Sequence, residues 1–424
     1  MLRVYRCLTS IIFPLVVILV YLRSIFKKED RLRYKEKIFP GFFRSTRNNK
    51  NKLFWFHAAS IGELLSILPL INKINNFNKN IDFLITTVTL SSSNLLKKKL
   101  SHYNNVTHRF FPVDTENLSN KFLNLWKPNL ICFVDSEIWP NFLFKIKEKK
   151  IPLILINARI TKKTFYKWNV FPNFAKRVFK NFDLSLASSR ESRNNLRQLE
   201  VKNVKYIGNL KFTVKNKVNK LNKINTKILN KSKVWCAAST HEGEELFILK
   251  THLEIKKKYN DILTIIIPRH INRSCDIKDL SNKFGLKSQI LSSYKCVIKT
   301  DTEILIINSF GVLSGYFNYC KNVFIGKSLI KKLDLVSGQN PIEAAKLGCK
   351  IFHGPYVYNF KEIYDLLKSY GISKKINDKK KLSQIIIKNL KNPKKINISQ
   401  INLLNIYGKN ILNKTIVELN KYIK

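Results

Sequence analysis

From residue 53 onward, short blocks of consecutive apolar residues alternate with longer stretches in which apolar residues recur every three or four positions. LFWFHA, IDFLIT, HRFFPV, NLICFV, PLILIN and LSLASS are uninterrupted runs of the kind strands make when both faces of a sheet are covered. Between them, IGELLSILPLINKI, SSNLLKKKL and WPNFLFKIKEKK carry the helical period. Buried parallel strands with helical crossovers predict an α/β, doubly wound sheet. The rhythm halts near residue 212, and residues 213–233, dominated by Lys and Asn and without Gly or Pro, read as a linker with room for a helix. It restarts with VWCAAS, ILTIIIP, EILIIN, NVFIG and CKIFHG as strands, with helices from HEGEELFILKTHLEIKKK onward. One helical pattern fills the stretch from about 396 to 424. The predicted organisation is a membrane helix over 1–30, a Rossmann-like domain over 31–212, the linker 213–233, and a second Rossmann-like domain over 234–424 that includes the terminal helix. Two such domains predict a ligand cleft at the carboxyl ends of their strands.

The first residues follow a different pattern. CLTSIIFPLVVILVYL runs without a charge between Arg6 and Arg23, long enough to span a bilayer if the flanking arginines snorkel. No small-residue cleavage site follows it, which argues against a removed signal peptide. Arg23, Lys27, Lys28, Arg31, Arg33, Lys35 and Lys37 come after the run, against Arg3 and Arg6 before it. That asymmetry predicts a single anchor with the rest of the chain on the cytoplasmic side. A helix lying in the membrane interface is the alternative.

At 424 residues the length suits two domains, and 45% hydrophobic residues exclude wholesale disorder. The net charge of +49 adds a field that attracts polyanions: nucleic acid, anionic lipid or phosphorylated substrate. Much of the lysine stands beside Asn and Ile, as in KINNFNKN, so AT-rich codon use explains the charge equally well. Cys7, Cys132, Cys236, Cys275, Cys296, Cys320 and Cys349 form no C-x-x-C pair, which argues against both zinc ligation and a disulfide framework.

Chemistry concentrates where strands end. HAASIGE closes a strand at His57 and opens a helix near Gly62, which allows close backbone approach, and places Glu63 in the first helical turn. Glu137 in VDSEIWPN follows the strand NLICFV, with Pro140 tolerated in the first turn of the next helix. Helix capping accounts for either carboxylate singly; two of them at strand ends of one sheet also suit acid–base work. In the second half, IIIPRH ends a strand at Pro268 and Arg269, where a guanidinium suits phosphate or carboxylate. SGQNPIEAAKLG places Asn340, Pro341, Ile342 and Glu343 at a helix start, an arrangement equally fit to cap a helix or to hold a nucleotide. Lys211 in GNLKF sits where the first domain meets the linker. There is no P-loop, no G-x-G-x-x-G and no D-x-D after a strand, hence no reason to expect a metal-dependent sugar transferase.

Taken in order, these segments resemble the Kdo (3-deoxy-D-manno-octulosonic acid) transferase family. HAASIGE is similar to that family's H-A-x-S-x-G-E and VDSEIWPN to its M-E-T-E-L-W-P-N. NARI, GNLKF, AASTHEGEE, PRH, GQNPIEAAKLG and GPYVYNF also have counterparts, from the anchor to about residue 370. The resemblance implies a GT-B fold and inverting transfer of Kdo from CMP-Kdo to lipid A precursor at the bacterial inner membrane, among anionic lipids and without metal, cofactor or nucleic acid. It implies that Glu63 is the general base, that Glu137 and Lys211 assist the transition state, and that Pro268, Arg269, Phe310, Gly311, Val312, Asn340, Pro341, Ile342 and Glu343 bind CMP. The chain departs from the family pattern in having Gly311-Val312 for Gly-Glu, Ser337-Gly338-Gln339-Asn340 for G-G-H-N, and Ile325-Gly326-Lys327-Ser328 for V-G-G-S. The competing readings are another GT-B transferase using a UDP-sugar on a lipid acceptor, and a membrane-tethered nucleic-acid-binding protein. The latter lacks any zinc-finger, RNP-type or basic-helix motif.

Overall fold

The computed structural model of the chain describes residues 1–42, 50–100, 103–215, 219–293, 296–309, 311–392 and 398–422. It divides into two compact units, Met1–Val214 with Tyr407–Lys424, and Lys215–Ile406.

The first unit holds a seven-stranded parallel sheet built from β1 (Lys52–His57), β2 (Ile81–Thr87), β3 (Val106–Phe110), β4 (Leu130–Val134), β5 (Leu153–Ala158), β6 (Leu184–Ala187) and β7 (Val204–Tyr206). Their order is β3-β2-β1-β4-β5-β6-β7. The winding reverses between β1 and β4, paired in register from Phe54↔Leu130 to His57↔Phe133. The core on one face centres on Trp55, which packs on the rings of Phe111, Phe122, Phe133 and Phe142 at centroid separations of 5.0–6.1 Å.

The second unit repeats the plan with β8 (Lys233–Thr240), β9 (Ile262–Pro268), β10 (Ser288–Leu291), β11 (Ile304–Ile307), β12 (Asn322–Ile325), β13 (Lys350–His353) and β14 (Ser373–Lys375). Here the order is β10-β11-β9-β8-β12-β13-β14, with the reversal between β8 and β12. Trp235, Ile248, Ile266, Ile306 and Phe324 are among the residues of its core. The doubly wound α/β fold expected from the hydrophobic pattern is thus present twice.

Two boundaries differ from the expected ones. The predicted linker carries the helix it left room for, Lys223–Lys231, capped by the Asn222 side chain, but from Lys215 onward it is already part of the second unit. The terminal helix Ile398–Asn420, expected in the second domain, starts there but returns its last residues, Tyr407–Lys424, to the first unit. The reason is packing: Tyr407 meets Phe212 edge to face at 5.0 Å, and Lys205 pairs with Glu418 at 2.8 Å. Gly408 lies so close to Phe212 that a Cβ there would stand 2.3 Å from its carbonyl oxygen.

Candidate active site

The carboxyl ends of β1 and β4 flank the reversal point of the first sheet, where doubly wound folds leave a crevice. After β1 the chain turns through Ala58–Ser60 into the helix Ile61–Phe77. Ser60 and Glu63 form a capping box, the Glu63 N–H donating to Ser60 Oγ and the Ser60 N–H to Glu63 Oε2, each at 3.4 Å; Oε2 also accepts from the Ala59 N–H at 2.7 Å, and Ser60 Oγ donates to Oε1 at 2.8 Å. The capping role expected as the plain alternative is therefore real, and the same carboxylate is electrostatically unusual. Burial, opposed by the Ser60 hydrogen bond and reinforced by the nearby charges of Glu137 and Asp135, pushes its pKa up to about 7. Gly62 beside it is exposed, and a Cβ there would meet nothing within 4 Å. The fold does not require the glycine.

Glu137 behaves oppositely. Burial alone would raise it, but the hydrogen bond and charge of His57 and the Trp139 indole bring it below the usual glutamate value. Glu137 Oε2 lies 3.1 Å from His57 Nε2 and accepts from Trp139 Nε1 at 2.9 Å. Behind His57, Nδ1 is 3.0 Å from Thr86 Oγ1, which accepts from Trp55 Nε1 at 2.8 Å. A carboxylate can only accept, so His57 Nε2–H donates to Glu137, while Nδ1 faces both the Thr86 hydroxyl and, at 3.3 Å, the Thr86 carbonyl oxygen. His57 itself is clamped against Phe111, with ring centroids 3.9 Å apart.

Lys211 follows β7 in a short 3-10 turn capped by Asn209 and, with Arg159, stabilises the charge of buried Asp135. Burial nonetheless dominates and raises the Asp135 pKa. The first unit thus gathers Glu63, Glu137 and Lys211 through Asp135. Sequence reasoning missed Asp135, Arg159 and the orienting role of His57. Their one signal was position directly after apolar strands.

In the second unit, Pro268 ends β9 and Arg269 stands exposed beyond it, its N–H donating to Thr240 O at 3.0 Å. Around the reversal point, His241 stands among Lys327, His270 and Arg269. Burial, opposed by a hydrogen bond to Ser239 O and helped by those three charges, lowers the His241 pKa to about 4. The loop after β12 is organised by Glu244, whose carboxylate accepts from the N–H groups of His241, Lys327, Ser328 and Leu329 at 2.7–3.0 Å. Gly326 is required here: a Cβ would lie 2.5 Å from Ser239 O and 2.7 Å from Glu244 Oε2. Lys327, which departs from the family glycine, keeps a left-handed φ of 58°. Asp135, Asn157 and Ser239, also at strand ends, have φ of 61°, 53° and 57°, and backbone strain of this kind gathers at functional sites.

Gly311 and Val312 follow β11, with Gly311 at φ 74° and its carbonyl accepting from Asn219 Nδ2 at 2.5 Å. Asn340 Oδ1 accepts from Ile342 N at 3.1 Å, and Pro341 precedes a helix of only five residues, Ile342–Lys346. So short a helix adds little dipole. Burial raises the Glu343 pKa and lowers that of Lys346. Phe310 lies outside the described residues. Among the described residues, no three His, Cys, Asp or Glu side chains are grouped to hold a metal ion.

Solved structures share this architecture. UDP-GlcNAc 2-epimerase from Neisseria meningitidis bound to UDP-GlcNAc matches with a TM-score of 0.56 at 17% identity, covering 87% of this chain and 98% of that one. Anabaena HepE in complex with UDP gives 0.57 at 13%, covering 88% and 99%. These likenesses concern the fold alone, a GT-B-like pair of sheets. At the level of sequence, the model of the family 3-deoxy-D-manno-octulosonic-acid transferase (kdotransferase) matches residues 32–214. The 3-deoxy-D-manno-octulosonic acid transferase of Rickettsia bellii is 32% identical over 388 residues, 91% of this chain and 88% of its own length. That of Haemophilus influenzae is 26% identical, covering 86% and 84%. With this extent of kinship, the chain belongs to the Kdo transferase family and is a glycosyltransferase.

Proposed function

We propose that this chain moves Kdo from CMP-Kdo onto lipid A precursor (lipid IVA), with inversion at the anomeric carbon, in lipopolysaccharide core biosynthesis. The observation that carries this reading is the pair of unlike carboxylates at one reversal point: Glu63, with a pKa of about 7, and Glu137, held ionised by His57 and Trp139. A base needs a proton affinity near the working pH; burial raises that of Glu63, and a second carboxylate that stays charged adds to it. Glu63 takes the proton of an acceptor hydroxyl as its oxygen bonds to the anomeric carbon of Kdo. The bond from that carbon to the CMP phosphate oxygen breaks, and its electron pair leaves with CMP. Glu137 holds the local field, and Lys211 offsets the negative charge that develops. In the second unit Arg269, aided by His270 and Lys327, meets the phosphate; Pro268, Phe310, Gly311, Val312, Asn340, Pro341 and Ile342 shape the nucleotide site, and Glu343 takes the ribose hydroxyls.

The helix Leu2–Ile25, whose mean hydropathy reaches 2.2 over its best window, holds the enzyme at the cytoplasmic face of the bacterial inner membrane, where a bisphosphorylated glycolipid and anionic lipids meet its positive surface. Purified chain incubated with CMP-Kdo and tetraacylated precursor should release CMP and yield a product heavier by whole Kdo residues, read by mass spectrometry. Turnover of a UDP-sugar instead, with CMP-Kdo left intact, would replace this assignment.

A further inference from the structure

The N-terminal helix is covered along one stripe from end to end. Tyr5, Thr9, Phe13, Val16, Val20 and Ser24 are buried or half-buried at steps of three or four residues, while the opposite stripe is exposed, Ile11 to 71% and Leu15 to 65%. The covered stripe is bound to the first unit by specific contacts. Tyr5 Oη donates to Asp114 Oδ2 at 2.8 Å, Arg6 pairs with Glu116 at 2.9 Å and Glu148 at 3.3 Å, and Phe13 packs against the core of the first unit. Asp114 is itself buried, accepting from the N–H groups of Asn141 and Phe142 at 3.1 and 3.0 Å. At the other end Arg23 pairs with Glu29 at 3.0 Å, and Glu29 with Lys37 at 2.6 Å.

Twenty-four helical residues extend about 36 Å, against a hydrocarbon thickness of about 30 Å. A perpendicular span would carry Tyr5 and Arg6 to the far leaflet, and their bonds to Asp114, Glu116 and Glu148 could not form. We propose that the helix lies in the plane of the membrane, both ends on the catalytic side, with only its outer apolar stripe immersed in one leaflet rich in anionic headgroups. This rests on the reading above that the chain works at a membrane, and changes the expected topology from a span to an interfacial helix. The occupant follows from charge. Exposed Arg3, Arg23, Lys27, Lys28 and Arg31 frame the apolar stripe, exposed Phe26 and Phe39 lie beside them, and no acidic residue precedes Glu29. A second copy would bring like charges together; an anionic leaflet neutralises them.

The test uses the full chain with Cys7, Cys275 and Cys296 replaced by Ser and a single cysteine introduced as Arg3→Cys or Lys28→Cys, produced in a Gram-negative host. A membrane-impermeant maleimide should label both positions in inverted inner-membrane vesicles and neither in spheroplasts. Labelling of Arg3→Cys in spheroplasts, with protection in inverted vesicles, would establish a span and overturn the proposal while leaving membrane association intact. Recovery of the chain in the soluble fraction would instead remove the membrane reading itself. Helix-to-helix cross-linking of two copies in that fraction would assign the stripe to self-association.

Discussion

At the scale of single residues, the chemistry rests on how Glu63 is held. Its carboxylate serves two purposes, capping the helix Ile61–Phe77 and standing with a pKa of about 7 beside Glu137 and Asp135. Glu63→Gln keeps an acceptor for the Ala59 N–H but cannot take a proton, so turnover should fall by roughly a hundred- to ten-thousandfold with donor binding nearly intact. In the unaltered chain the rate should rise with pH through about 7, as Glu63 ionises, and the residual rate of Glu63→Gln should lose that limb. Stability runs the other way. The folded-state pKa is above the unfolded one, so the folded chain holds the extra proton from about pH 4.5 to about 7, and the associated stability is present below that window and lost as pH rises through it. At pH 8, Glu63→Gln should therefore be more stable than the parent, on the order of 1–3 kcal/mol, read by denaturant unfolding.

Elements make their contribution through close approach at strand ends, and two glycines separate architecture from function. Gly326 lets the loop after β12 pass against Ser239 and the Glu244 carboxylate, so Gly326→Ala should cost about 1–3 kcal/mol, measured as a lower unfolding midpoint. Gly62 has open space where a Cβ would be. Gly62→Ala should leave the fold as stable as before or firmer by up to about 1 kcal/mol, yet depress kcat/KM, because the added methyl occupies open space that the acceptor is proposed to approach. Equal activity would show that nothing approaches the backbone there. The elements that the hydrophobic pattern did not reveal are β7, β10 and β14. VKY at β7 and SQIL at β10 are three or four residues long, lie at sheet edges, and are only partly buried, so they carry no apolar run.

For the whole molecule, the terminal helix decides which residues form each folding unit. Ile411, Ile416 and Leu419 are buried in the first unit although they close the chain. Truncation after Ile406 should lower the stability of the first unit by several kcal/mol, at about 1.5–3 kcal/mol per buried Ile or Leu, bringing down its thermal transition and leaving that of the second unit in place. Differential scanning calorimetry on the full and shortened chains checks this; an unchanged first transition would show that the helix end is dispensable.

The amino-acid sequence alone determined the doubly wound class, eleven of the strands by their apolar runs, and the identity of Glu63, Glu137 and Arg269 as strand-end groups. These depend on local period and on chain order, which a linear pattern carries. Only the tertiary structure decided that His57, through Thr86 and Trp55, orients Glu137, that buried Asp135 feels the charges of Lys211 and Arg159, and that Glu244 gathers four N–H groups from two loops. It also decided that the apolar N-terminal helix lies along the first unit, and that the last helix returns to it. Each of these depends on groups brought together from distant parts of the chain, and on the burial that follows, which shifts a carboxylate by more than any neighbour in sequence can.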